Sequence, residues 1–274
     1  MVRSLLIRGM LVGILAGLLA FGFAKLFGEP QVDAAIAFEE SHSHEAGAVA
    51  AANGMSNMSM APAATTPSEA PDANAHDHGD EELVSRPMQA SFGLFTGILT
   101  YGTALGGIFA LVFAFAQGRI GTVSPRATAA VVAIAGFVAV VIVPQIKYPA
   151  NPPAIGNPAT IGSRTELYFI MVAVSILAMI AAFSTAPTLA TRFGRWNGTL
   201  VAAAAYVVVI TIAMLVLPSV NEVPADFSAD VLWKFRMASL GIHTVLWTSL
   251  GIAFGMAAER LMPSATKTRT ANAY

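Results

Sequence analysis

The stretch ASFGLFTGILTYGTALGGIFALVFAFAQ, residues 90 to 117, has no charged side chain from end to end. A helix rises about 1.5 Å per residue, so a run of this length more than covers the roughly 30 Å hydrocarbon core of a bilayer. Five further runs are long and apolar enough to do the same, near residues 5–27, 126–146, 166–187, 197–217 and 237–258. The whole chain agrees with its parts. Of 274 residues, 55% are hydrophobic and 11% charged, whereas a soluble domain has about a quarter of its residues charged. The expected fold is an all-α, polytopic transmembrane helical bundle of about six spans with a long, largely disordered external loop.

Four segments follow from this reading: a first transmembrane helix at 1–27, an external loop at 28–89, a five-helix bundle at 90–258 and a cytoplasmic tail at 259–274. Arg3 and Arg8 ahead of an apolar run also fit a signal peptide or signal anchor. The run continues to Phe27 without a clear small-x-small cleavage site, so a retained helix is expected; cleavage would leave five spans and the same topology elsewhere. Glycines recur at four-residue spacing: Gly9, Gly13 and Gly17, then Gly93 and Gly97, Gly102 and Gly106, and Gly251 and Gly255. In lipid this pattern marks close helix–helix packing.

Orientation follows from the basic residues. With the N-terminus cytoplasmic, nine of the 15 Lys and Arg side chains fall inside, and every acidic residue except Glu259 falls outside. The connections 118–126 and 188–196 each contain two arginines and no acid. Both termini are therefore expected to be cytoplasmic.

The external loop contains the ligand-rich segments. EESHSHE, residues 39–45, has His42 and His44 among carboxylates, and AHDHGDEEL, residues 75–83, has His76 and His78 with Asp77, Asp80 and Glu81. MSNMSM between them places Met55, Met58 and Met60. Alternating His residues point to one side of an extended chain, and neutral imidazoles suit Co, Ni, Zn and Cu(II). Thioethers add Cu(I) affinity. A flexible set of this kind follows the Irving–Williams order and has little selectivity of its own; the bland alternative is a solvated acidic spacer. Residues 46–75, rich in Ala, Pro, Ser, Thr and Asn, lack the apolar content to order themselves. Before them, GEPQVDAAIAFEE is expected to form a short helix on the membrane surface. The proline-rich connection 147–165 is expected to be non-helical, and a helix is expected to start at Ser228.

His243 lies in SLGIHTVLWTSLG, inside the sixth span and about 10 Å inward of Arg236 by helical rise. Ionisable residues in spans face protein or water and often mark a pathway; the alternative is a His bonded to a neighbouring helix for packing. Thr244, Thr248 and Ser249 give the same segment a polar surface. Lys147, Tyr148, Arg164 and Tyr168 read as interfacial anchors.

Absences narrow the class. No Cys is present, so disulfides and thiolate chemistry are excluded. There is no phosphate-binding G-x-x-x-x-G-K-[ST] loop, no nucleophile elbow, no HExxH and no carboxylate in the middle of a span. No cofactor is expected, and an enzyme is not expected. No basic stripe with interleaved aromatics supports nucleic-acid binding.

FGEPQVDAAIAFEE at 27–40, YGTALGG at 101–107, PQIKYPANPPAIGNPATIGSRT at 144–165 and LPSVNEVPADFSADVLWKFRMASLGIH at 217–243 together resemble the CbtA family of predicted cobalt transporter subunits. The resemblance covers nearly the whole chain apart from the middle of the first loop. It implies a multi-pass protein of the bacterial inner membrane that takes up Co²⁺ in connection with cobalamin supply. It also implies a small CbtB-like partner with one span and a histidine-rich end. On this reading His42, His44, His76 and His78 collect the ion and His243 serves as a transit ligand. A non-transporting membrane metal binder or sensor, for copper, is the alternative, and Ni²⁺ remains open as cargo.

Overall fold

A computed structural model describes residues 2–41, 85–121, 123–153 and 155–262. Among them there is no strand. Six helices are long and apolar enough to cross a membrane: α1 (Val2–Ser41), α2 (Arg86–Ala116), α3 (Pro125–Lys147), α4 (Pro158–Phe193, opening with a 3-10 turn), α5 (Arg195–Val216) and α6 (Ala229–Leu261). Each follows from its own residues. Ser124 caps α3 by accepting the Ala127 amide, with Pro125 in the first turn, where its missing N–H is harmless. Ser228 caps α6 in the same way through the Val231 amide.

α1 does not stop at Phe27. It continues through a π-turn at Ala24–Gly28 and past Pro30 to Ser41, as one helix rather than a span followed by a separate surface helix. Proline removes one ladder hydrogen bond and crowds the carbonyl four residues back. A widened turn just before it absorbs both effects. α3 repeats the device, with a π-turn at Val138–Ile142 two residues before Pro144. At about 1.5 Å per residue, the 40 residues of α1 extend well beyond a hydrocarbon core of about 30 Å.

α1, α2, α3 and α6 pack into a four-helix unit. α1 and α2 run antiparallel at glycine contact. A Cβ on Gly9 would overlap the Gly106 carbonyl, one on Gly13 the Gly102 carbonyl, and the reverse substitutions would meet the carbonyls of Gly9 and Gly13. Backbones this close gain dispersion and Cα–H···O contacts that side chains would forbid. Gly251 meets Ala133, and Gly255 meets Ala129, along the α3–α6 seam. Gly97 has open space around it, and Gly93 approaches only the Met88 carbonyl of its own helix. The four-residue spacing there does not mark a seam. The centre of the unit is filled by Phe109, Phe113, Val132, Trp247 and Phe254, with Phe254 edge-on to both phenylalanines at 5.3 and 5.0 Å between centroids.

α4 and α5 form a hairpin that turns at Gly194 (φ 83°, a conformation that favours glycine). It rests on α3 through Val143, Met171 and Ile210 and is pinned internally by a Ser175–Tyr206 hydroxyl hydrogen bond of 2.9 Å. Consecutive antiparallel helices give the bundle two ends. One carries Arg8, Arg119 and Arg126, with Arg126 paired to Glu259. The other carries Glu29, Arg86 and Arg236.

Candidate functional site

The Glu29 end is where the chain brings its polar and proline-rich segments together. Arg86, at the start of α2, bonds Glu29 and Asp33 of α1 at 2.8 Å each. Lys25, within the α1 π-turn, donates to the Ala90 carbonyl in a matching π-turn of α2 at 3.0 Å. Ala35, Ile155 and Phe227 bury one another there, so the projecting part of α1 packs against both the α3–α4 and α5–α6 connections. Glu222 fastens those two connections. Its carboxylate accepts the Thr160 hydroxyl at 2.6 Å and the Asn157 amide at 2.8 Å, and lies 3.3 Å from Arg164. These hydrogen bonds, with the nearby guanidinium, hold its pKa below the usual carboxylate range.

Lys147 and Tyr148, read as interfacial anchors, also bond within the protein. The Lys147 ammonium donates to the Met214 carbonyl at 2.8 Å and to Ser219 at 3.0 Å, and the Tyr148 hydroxyl donates to the Pro218 carbonyl at 2.8 Å. Residues 148–153 and 155–157 are non-helical, but the expectation of a non-helical segment to residue 165 is overturned: α4 opens at Pro158, which sits in the first turn where its missing N–H is harmless.

Below this cap a polar file descends along one face of α6. Arg236 donates to the Ala150 carbonyl at 3.2 Å and to Asn151 Oδ1 at 2.9 Å. Ser239 accepts from the Gln145 amide of α3 at 3.2 Å. Four residues on is His243, whose ring centroid lies 6.5 Å from that of Tyr101 on α2, nearly perpendicular to it. Its Nδ1 is buried and has no hydrogen-bond partner. Trp247, one turn further, closes the file against Gly136 and Phe109. The spacing 239, 243, 247 keeps these side chains on one face of the helix.

Of the candidate ligands, the structure therefore places His243 half-buried among the helices, with its Nδ1 shielded. Thr244 and Thr248 are exposed on another face, and the Thr244 hydroxyl bonds its own Leu240 carbonyl at 2.8 Å. They add no polarity to the file. Ser239 and Gln145, which do, were not singled out by the sequence. Ser239 stood one turn from His243 and was discoverable by spacing; nothing local pairs Gln145 with it. His42, His44, Met55, Met58, Met60, His76, Asp77, His78, Asp80 and Glu81 lie outside the described residues. Their segment leaves the described chain after Ser41 and re-enters at Ser85, at the Glu29 end. Among the described residues no group of three His, Asp or Glu side chains forms a metal site.

Six helices long and apolar enough to cross a bilayer, with a half-buried polar file along one of them, define a polytopic α-helical membrane protein. A family model described as probable cobalt transporter subunit (CbtA) matches residues 2–259, nearly the whole chain. The chain belongs to that family. No curated protein and no solved structure matches it.

Proposed function

We propose that this protein is the membrane-spanning permease, or permease subunit, that passes Co²⁺ inward in support of cobalamin supply, with both termini cytoplasmic. The observation that supports this best is His243. A buried imidazole nitrogen without a partner inside a membrane span is costly to maintain, and such residues tend to mark ion pathways. It lies on a polar file that begins at the capped Glu29 end, where the ligand-rich segment 42–84 joins the bundle. His42, His44, His76 and His78, with Asp77, Asp80, Glu81 and the three methionines, concentrate the ion there. His243 replaces part of the water the ion sheds on entry. An inside-negative potential contributes about 2.3 kcal/mol per charge per 100 mV, or roughly 4.6 for a divalent ion, so inward passage requires no nucleotide hydrolysis. The word subunit in the family's description fits a partner, and a small single-span protein with a histidine-rich end is the proposed one.

Uptake of radiolabelled cobalt into vesicles, with and without that partner, is the direct test. Replacing the four loop histidines by Ala should weaken uptake when cobalt is scarce and be rescued by raising its concentration. His243→Ala should lower the maximal rate, and added cobalt should not restore it. If His243→Gln transports normally while His243→Ala only lowers protein abundance, His243 is a packing residue. If cobalt binds to the vesicles but never enters them, the protein is a membrane metal binder.

A further inference from the structure

A cavity of about 570 Å³ opens between α2, α3 and α4, and the transport reading leaves it unused. Its walls are apolar: Val112 and Phe115 from α2, Val132 and Ala135 from α3, and Met179 and Phe183 from α4. Trp247 forms part of its floor. The volume falls in the range of ligand pockets, about 300–1,000 Å³. Nothing in its lining suits a metal ion, and it meets the polar file only at Trp247.

Its shape and its position in the bilayer point to one occupant. The lining runs along α2 from Leu105 to Ala116 and along α4 from Ile176 to Pro187. Eleven residues of helix rise about 16 Å, close to half of a hydrocarbon core of about 30 Å. The cavity therefore reaches from one membrane surface to mid-depth, the length of one leaflet. An opening of this kind within lipid fills with acyl chain, because an empty one would forfeit dispersion contacts along its whole wall.

The rim adds charge. Arg119 lines the mouth, with its guanidinium 4.4 Å above the Phe115 ring and one donor on the Phe115 carbonyl at 2.6 Å. It is exposed and has no acidic partner among the described residues. At this end Glu259 is the one described acid, and it is taken by Arg126. A fixed, unneutralised guanidinium at headgroup level favours phosphate.

We propose that this cavity holds one acyl chain of an anionic phospholipid whose phosphate rests on Arg119. Trp247 makes the proposal measurable, because it borders the cavity while being only 6% exposed. Trp196 and Trp233 are exposed, so a Trp196→Phe, Trp233→Phe background reports on Trp247 alone. The full chain in that background is reconstituted in phosphatidylcholine vesicles containing a few per cent of acyl-brominated phosphatidylglycerol, or the same fraction of acyl-brominated phosphatidylcholine. Brominated phosphatidylglycerol should quench Trp247 several-fold more strongly, and Arg119→Gln should bring the two lipids together. Ala135→Phe, which fills the cavity, should abolish the quenching. Equal quenching by both lipids, or none, overturns the proposal, as does a preference that survives Arg119→Gln. Quenching that survives Ala135→Phe places the chain in the smaller groove between α3 and α6, which Trp247 also borders, and overturns the assignment. Arg119 is at the surface, so its variant remains informative if Ala135→Phe does not fold.

Discussion

The α4–α5 hairpin is as apolar as α3 and more apolar than α1, α2 and α6, yet it is built differently from the four-helix unit that those helices form. In the most hydropathic windows of α1, α2, α3 and α6, 28 to 44% of residues are buried, against 11% in each of α4 and α5. In water such a contrast would be read from hydrophobicity. In lipid it cannot be, because the solvent is as oily as the side chains and association rests on close packing and hydrogen bonds. The unit has glycine seams that bring backbones together. The hairpin has a single close glycine approach, Gly198 against the α4 backbone at Leu189 and Ala190 beside its turn, with one hydroxyl pair, one buried methionine and a broad lipid-facing surface that includes Phe169, Leu177, Val208 and Leu215.

The largest expected effect breaks the unit. Gly106→Leu drives a branched side chain into the Gly9 carbonyl and the backbone of Gly13. Two helix backbones cannot yield as a flexible side chain can, so a loss of about 3 kcal/mol or more is expected. Gly97→Ala, with nothing within reach of the new methyl, should be neutral or slightly stabilising. Reversible unfolding in mixed micelles compares the two, and equal effects would remove the seam as the basis of the unit's packing.

Next comes the hairpin's attachment. Met171 is fully buried between α3 and α5. Met171→Ala should cost about 2 kcal/mol, at the low end of core truncations because neighbouring lipid can fill part of the gap. Amide exchange should accelerate in α4 and α5 and stay unchanged in α1 and α2. Uniform acceleration would mean that the molecule opens as one body.

The cap braces the hairpin from outside the membrane, through Glu222. A carboxyl whose folded pKa is depressed contributes stability that is full above its unfolded value, about 4.3. That contribution fades as pH falls through the lowered folded value. Glu222→Gln should therefore melt below the wild type at neutral pH, and the gap should narrow on acidification. A gap independent of pH would show that the charge contributes nothing. The smallest effect is expected within the hairpin itself. Tyr206→Phe removes the hydroxyl partner of Ser175, and interhelical hydrogen bonds in membranes average about 0.6 kcal/mol. A loss several times larger would give the hairpin a polar core that its geometry does not display.

The number of spans was legible in the sequence because a bilayer of fixed thickness converts an uncharged run of some twenty residues directly into a crossing. Ser228 as a helix start was legible for the same local reason, since a cap needs only its own next turn. His243 could be singled out by its chemistry alone. What the tertiary structure decided was which elements meet. Gly102 and Gly93 carry the same residue in the same helix, and only the approach of α1 makes one a contact and leaves the other idle. The first span was expected to end at Phe27 with a separate surface helix after it, and a π-turn carried one helix on past Pro30. Gln145 and Ser239 stand 94 residues apart. No local pattern could have paired them, because the geometry that joins them is a property of two packed helices and of neither one alone.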